Sequence, residues 1–292
     1  MKTINAVITD LDDTLWDWVN MWYNSFNPFI NRIAKETSIP LQDLKTAFKK
    51  LHKKYHTSEA SFLIDEIEIL TSEQKELLKN NGHESISIMH EYYHNKKHYT
   101  KLYEGVKDTL ERFKEIGTKV IGFTESKSFY TKYRMKTTGL DGYIDVIYTP
   151  EDHSLPENHE SFYDKGYWNL EETTLKLLHG EFKKPDKKIL LEILKNEEID
   201  KDKALYVGDK IQRDVYMANQ VELTSVHAKY GHVIDDERYE LLKEVTHWTD
   251  NEVAIEKSFR EKMKGKEINP FCQINAYEEL LEKFNFISWT RQ

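Results

Sequence analysis

The spacing of apolar residues along the chain changes twice. Ile4-Asn5-Ala6-Val7-Ile8-Thr9 is a short apolar run that stops abruptly at Asp10. A run of that length and β-branched content predicts a buried strand. From Trp16 the period lengthens. Trp18, Met21, Trp22, Phe26, Phe29, Ile30 and Ile33 recur at helical spacing, as do Leu41, Leu44, Phe48 and Leu51, and shorter pieces at 62–70 and 86–93 continue the pattern. This predicts a helical subdomain over residues 16–103.

Beyond it the chain alternates. Val106–Ile116 is amphipathic and stops at Gly117, a helix C-cap signal. Strands are expected at 119–123, 144–148, 204–208 and 222–227, the last closing the core, with a helix around 189–194. Strands alternating with helices imply parallel pairing with helices on both faces, so the expected fold class is α/β with a doubly wound parallel sheet. Two stretches break the rhythm. Residues 149–182 are polar and aromatic-bearing where a short link would serve, and read as an insertion within the core. Residues 236–292 read as a charged helical extension packed on the core, ending in an amphipathic piece at 277–284.

With 292 residues the chain suits one large α/β domain with an accessory domain. It is polar, 39% hydrophobic and 32% charged, but 13 Phe, 17 Tyr and 6 Trp supply bulk for a core. The lone cysteine, Cys272, excludes an intrachain disulfide, and a reducing, cytoplasmic setting is expected. The first apolar run is much shorter than a signal-peptide core, and no uninterrupted apolar stretch of about 18 residues predicts a membrane span. A net charge of −9 argues against nucleic acid as a partner. It leaves room for a small phosphorylated substrate, because a bound metal reverses the local sign.

Ligands of open α/β sheets bind beyond the carboxyl ends of the strands. Asp10, Thr124 and Asp209 each stand at such an end, so three strands deliver oxygen-bearing side chains to one edge. In Asp10-Leu11-Asp12-Asp13-Thr14 a turn lets Asp10 and Asp12 share a site. One carboxylate can attack phosphorus while the other gives and takes a proton. A turn that merely caps a helix uses the same residue types. In Gly208-Asp209-Lys210-Ile211-Gln212-Arg213-Asp214 a second acid follows the first by five positions. Asp10, the Asp12 carbonyl and Asp209 offer hard oxygen ligands for magnesium, with Asp214 behind them. Asp214 suits a helix start equally well. The Thr124 hydroxyl, the loop amides after it and the Lys184 ammonium suit phosphate oxygens. The twelve histidines show no metal-ligand spacing, and His52 and His56 read as part of the helical subdomain.

Taken together, these clusters resemble the four ordered motifs of the haloacid dehalogenase-like hydrolase superfamily. Asp10-Leu11-Asp12-Asp13-Thr14 is similar to the first motif, Thr124 to the second, Lys184 to the third, and Gly208-Asp209 with Asp214 to the fourth. Leu102-Tyr103-Glu104-Gly105-Val106 resembles the usual entry into the helix before the second motif. The resemblance implies a Rossmann-like core over residues 1–15 and 104–235 and a type 1 helical cap over 16–103. It implies a magnesium-dependent phosphatase of small phosphorylated metabolites. Asp10 would be nucleophile and metal ligand, and Asp12 general acid/base and carbonyl ligand. Thr124 and Lys184 would bind the phosphoryl group, Asp209 would bind the metal, and Asp214 would support it.

Glu125 stands where the family often has Asn, and an acid there would repel phosphate unless it points away or meets a cation. A phosphomutase of the same fold, a dehalogenase and a non-catalytic phosphate-binding module are the rival readings. Dehalogenation needs neither Asp12 nor the metal-site acids. A binding module has no use for an intact set of Asp10, Asp12, Lys184 and Asp209.

Overall fold

The computed structural model describes residues 1–59, 62–80, 82, 86–152, 166–180, 183–232, 236–247 and 267–291. The opening apolar run divides at the buried Asn5. Its amide donates to Lys203 O and its carbonyl accepts from Lys119 N, leaving β1 (Lys2–Ile4) and β2 (Ala6–Thr9) on either side. All four residues of β2 are buried, as a strand covered on both faces requires.

The helical unit follows as α1 (Trp18–Thr37), α2 (Leu41–Tyr55), α3 (Leu63–Glu66), α4 (Ser72–Lys79) and α5 (Ile88–Tyr99). It has its own apolar core, in which Trp22, Phe26, Phe29, Ile30 and Ile33 of α1 meet Leu44, Phe48 and Leu51 of α2. The chain enters and leaves it side by side. Asp17 N donates to Lys101 O at 3.1 Å, and Tyr103 N to Leu15 O at 3.0 Å.

The remaining elements are α6 (Val106–Ile116), β3 (Lys119–Phe123), α7 (Ser128–Thr138), β4 (Val146–Pro150), β5 (Thr174–Leu178), α8 (Lys187–Asn196), β6 (Ala204–Gly208), α9 (Tyr216–Gln220), β7 (Thr224–Ala228), α10 (Asp236–Val245), β8 (Cys272–Ile274), α11 (Glu279–Lys283) and β9 (Phe284–Phe286). Seven strands form one parallel sheet in the order β5-β4-β3-β2-β6-β7-β8, and β1 pairs with β9 beside it. This is the doubly wound α/β architecture expected from the alternation. Among the described residues no helix is long and apolar enough to cross a membrane.

Three expectations need correction. The stretch 149–182, expected as an insertion within the core, supplies a strand of the sheet itself among its described residues, for Thr174–Leu178 is the edge strand β5, paired with β4. Its exposed and intermediate positions hide the strand from an apolar-run search. In this stretch Trp168 packs on Tyr133 at 4.9 Å between ring centroids, whereas Phe162 and Tyr163 lie outside the described residues. Residues 222–227 do not close the core, since β8 adds a strand beyond β7. Among its described residues the 236–292 extension is helical only in part and packs on the core only in part, for Ile274, Tyr277, Leu280 and Phe284 join the apolar core of the sheet. Leu241, Leu242 and Val245 of α10 join the core of the helical unit, while β8 and β9 are strands of only three residues, too short to show a period.

Candidate active site

β2 lies at the middle of the sheet, and its register puts Thr9 beside Gly122 of β3 and Val207 of β6. Parallel strands of similar length end together, so Asp10, Thr124 and Asp209 emerge at one edge. All three are buried. Leu11 turns back into the apolar core while Asp13 takes a left-handed backbone, φ 58°, which aspartate tolerates better than most residues. The Asp13 carboxylate accepts from Val19 N at 3.1 Å and so ties the loop to the start of α1.

Asp10 Oδ1 accepts from Lys184 Nζ at 2.5 Å, and the same ammonium donates to Asp214 Oδ1 at 3.0 Å. Asp214 also accepts from Tyr206 OH at 3.0 Å and Lys210 N at 3.1 Å. It lies directly over Gly208, where a Cβ would come within 2.5 Å of its carboxyl carbon. Asp214 stands in the first turn of the short helical segment Ile211–Val215, as a helix-start acid does, and it is also built into the site. Oxygens of Asp10, Asp209 and Asp214 all lie within 4.8 Å of one another.

Asp209 Oδ1 is buried and accepts no hydrogen bond among the described residues. The Asp209 carbonyl is occupied by His227 Nε2 at 3.0 Å. Four buried acids, Asp10, Asp13, Asp209 and Asp214, face two lysines, Lys184 and Lys210. With all four acids ionised, the excess over the two lysines is two negative charges. A hard divalent cation fits both the bare oxygen and the charge excess.

The acids respond to this crowding. Burial pushes Asp10 up to about 6 against the pull of Lys184. Burial likewise raises Asp13 to about 7, opposed by Lys210. Asp209 is raised well above the ordinary range by burial, against Lys210, with Asp13, Asp10 and Asp214 adding to the effect. Asp214 moves the other way, because Lys184 and Lys210 outweigh its burial. For Lys184 burial favours the neutral amine, but Asp10 and Asp214 prevail and keep it cationic.

Thr124 and Asp12 stand to one side and are joined through Ser126. Thr124 Oγ1 accepts from Ser126 N at 3.0 Å, so that amide is engaged rather than free as the sequence suggested. Ser126 Oγ donates to Asp12 Oδ2. Asp12 Oδ1 accepts from Trp16 Nε1 at 2.6 Å and forms an ion pair with Arg134 Nη1 at 3.1 Å. Glu125 does meet a cation: it accepts from Arg213 Nη1 and from the Lys184 amide, each at 3.1 Å. Its charge is thereby taken up in bracing the Lys184 loop.

Several residues at the site had no sequence signal. Lys210 Nζ lies 3.8 Å from Asp209 Oδ2. Tyr230 OH donates to Thr14 O at 2.7 Å. A Cβ on Gly231 would fall 1.7 Å from Asp13 O, so only glycine lets the turn after β7 close on the first loop. Arg134 and Glu59, which meet beside Asp12, lie 75 positions apart in sequence.

A haloacid dehalogenase-like hydrolase family model matches residues 4–222. No curated protein matches. The chain is also similar to solved structures. A predicted phosphoglycolate phosphatase from Haemophilus somnus 129PT is 16% identical with TM-score 0.49, covering 97% of this chain and 98% of that one. A 2-haloacid dehalogenase from Pseudomonas syringae pv. tomato DC3000 is 16% identical with TM-score 0.48, covering 96% and 97%. A HAD phosphatase from Thermococcus onnurineus is 19% identical with TM-score 0.47, covering 83% and 97%.

Proposed function

Because the chain belongs to the haloacid dehalogenase-like hydrolases, we propose that it is a magnesium-dependent phosphatase of small phosphomonoesters, with Asp10 as nucleophile. The observation that carries this reading is the Asp10 carboxylate at the end of the central strand, held by Lys184 at 2.5 Å and grouped with Asp209 and Asp214. An Asp10 oxygen attacks phosphorus as the ester P–O bond breaks, and Asp12 gives its proton to the departing oxygen. Asp12 then takes a proton from water, whose oxygen attacks the aspartyl phosphate and frees inorganic phosphate. Thr124 and Lys184 hold the phosphoryl oxygens during both steps. Asp10, the Asp12 carbonyl and Asp209 would hold magnesium, with Asp214 behind them, and the ion would offset the charge of the phosphate. The helical unit serves as the cap that closes over the strand ends and meets the leaving group.

The test is phosphate release without any acceptor, from a panel of phosphorylated metabolites with magnesium. Asp10→Asn should lower turnover by about 10⁵-fold or more, as loss of a nucleophile does, while keeping its cooperative melting. A variant within about tenfold of wild type, a barrier change of only ~1.4 kcal/mol, would remove Asp10 from the role. Phosphate that appears only when an acceptor is supplied would make the chain a mutase.

A further inference from the structure

Beside the metal-site acids lies a second charged cluster, which the reaction as described does not use. Arg134 of α7 is fully buried. Its Nη1 faces Asp12 Oδ1 at 3.1 Å and Ser126 Oγ at 3.2 Å, and its Nη2 binds Glu59 Oε2. Glu59 belongs to the turn after α2 and is itself buried. Its carboxylate also forms an ion pair with Lys96 Nζ of α5 at 2.9 Å and accepts from Trp18 Nε1 at 2.9 Å. Lys96 sits over the Tyr130 ring, 4.7 Å from its centroid. Two anions and two cations, all buried except the partly buried Asp12, thus meet where the helical unit joins the core. Burial alone would raise Glu59, but Arg134 and Lys96 outweigh it and hold the carboxyl at about 2.

Enclosing charges adds little net stability compared with apolar packing, so stability is a weak reason for this arrangement. A planar guanidinium does supply direction, because it fixes the carboxylates on its edges. One of those carboxylates is Asp12. The other comes from the helical unit, and the tryptophans at the entry to that unit repeat the pattern, Trp16 donating to Asp12 and Trp18 to Glu59.

We propose that Arg134 is a positioning residue that sets the Asp12 carboxylate for proton transfer only while the helical unit delivers Glu59, so that closure of the cap is read at Asp12. The inference rests on the phosphatase reading above and names how the cap acts in it. Withdrawal of Glu59 leaves the guanidinium with one carboxylate instead of two and frees it to turn. Asp12 Oδ1 is then held by Trp16 alone, and the Ser126 hydroxyl on Oδ2 loses the guanidinium that fixes it. Substrate that enters with the cap open meets Asp10 without a correctly aimed acid, which suppresses attack until the site is enclosed.

The test uses a series of ring-substituted phenyl phosphates with magnesium, from nitro to methoxy substituents, and reads kcat/KM, which reports phosphoryl transfer to Asp10. A nitrophenolate leaves without a proton, whereas a methoxyphenolate needs one. Arg134→Lys, which cannot span two carboxylates, should lower kcat/KM about 100-fold for the methoxy ester and far less for the nitro ester. Glu59→Gln should steepen the leaving-group dependence in the same way although it does not touch Asp12, and the double variant should be no worse than Arg134→Lys alone. Melting temperatures accompany each variant. If Arg134→Lys does not fold, the Glu59→Gln series decides. Losses equal across the series, or no loss in Glu59→Gln, would overturn the inference while leaving the phosphatase reading intact. A wild-type chain that hydrolyses none of these esters or the metabolites overturns both.

Discussion

Asp209 shows how one atom constrains the chemistry of the site. Its Oδ1 is enclosed without a hydrogen-bond donor among the described residues, and its acid neighbours raise the cost of its charge. A raised carboxyl pKa contributes stability that is complete below the ordinary value of 3.8 and is lost as pH rises through the folded value. Near neutral pH the metal-free chain therefore carries strain at this residue, and a divalent cation relieves it. Thermal melting with added magnesium should show stabilisation of ~2.7 kcal/mol at about 100 times the dissociation constant. Asp209→Asn should melt higher than wild type without metal and lose the response to magnesium. An undiminished response in Asp209→Asn would place the ion elsewhere. Asp10 and Asp209 could be picked out from the sequence because each abruptly ends an apolar run, and Asp12 because it follows Asp10 by two positions in a turn. Arg134 and Glu59 could not: a lone arginine inside a helix and a glutamate in a turn carry no pattern, and only the folding of the helical unit brings them to Asp12.

At the scale of elements, strand recognition depended on apolar continuity. β2, β3 and β6 are buried almost throughout and stood out. β5 and β8 lie at the sheet edges, where one side is free of neighbours and polar residues are tolerated, and both were passed over. α10 was legible as a helix, but not its place against the helical unit. It is anchored there by His52 of α2, whose Nδ1 donates to Val245 O at 2.7 Å, and by Lys45, whose Nζ lies 2.6 Å from Glu244. The carbonyl accepts only, so the proton is on Nδ1, and Nε2 is buried without a partner among the described residues. Burial accordingly lowers His52 from 6.5 to about 4, partly opposed by the Val245 carbonyl. The unfolded chain binds this proton first, so stability should fall as pH drops from about 6.5 and level off near 4. Melting curves across that window should show the loss in wild type and a flatter profile in His52→Gln. An equal slope in both would assign the pH dependence to other groups.

For the whole molecule, the division into a parallel sheet and a helical unit followed from the two periods in the sequence. The route of the chain between them did not. After β7 it rises to the helical unit as α10, and by β8 it is back at the sheet edge, so the two parts are joined by more than the bridge between Trp16 and Leu102. Everything proposed for the cap and for Arg134 depends on covalent chemistry at Asp10, and the most direct measurement is the mass of that residue's peptide after acid quench. Asp12→Asn, incubated with magnesium and a nitrophenyl phosphate, can accept the phosphoryl group without an acid but lacks the base that activates water. The account predicts that the peptide carrying Asp10 gains one phosphoryl group in this variant, and that the gain disappears when Asp10→Asn is added. Phosphate release by wild type with no adduct on Asp10 in the Asp12→Asn chain, together with undiminished release by Asp10→Asn, would contradict it.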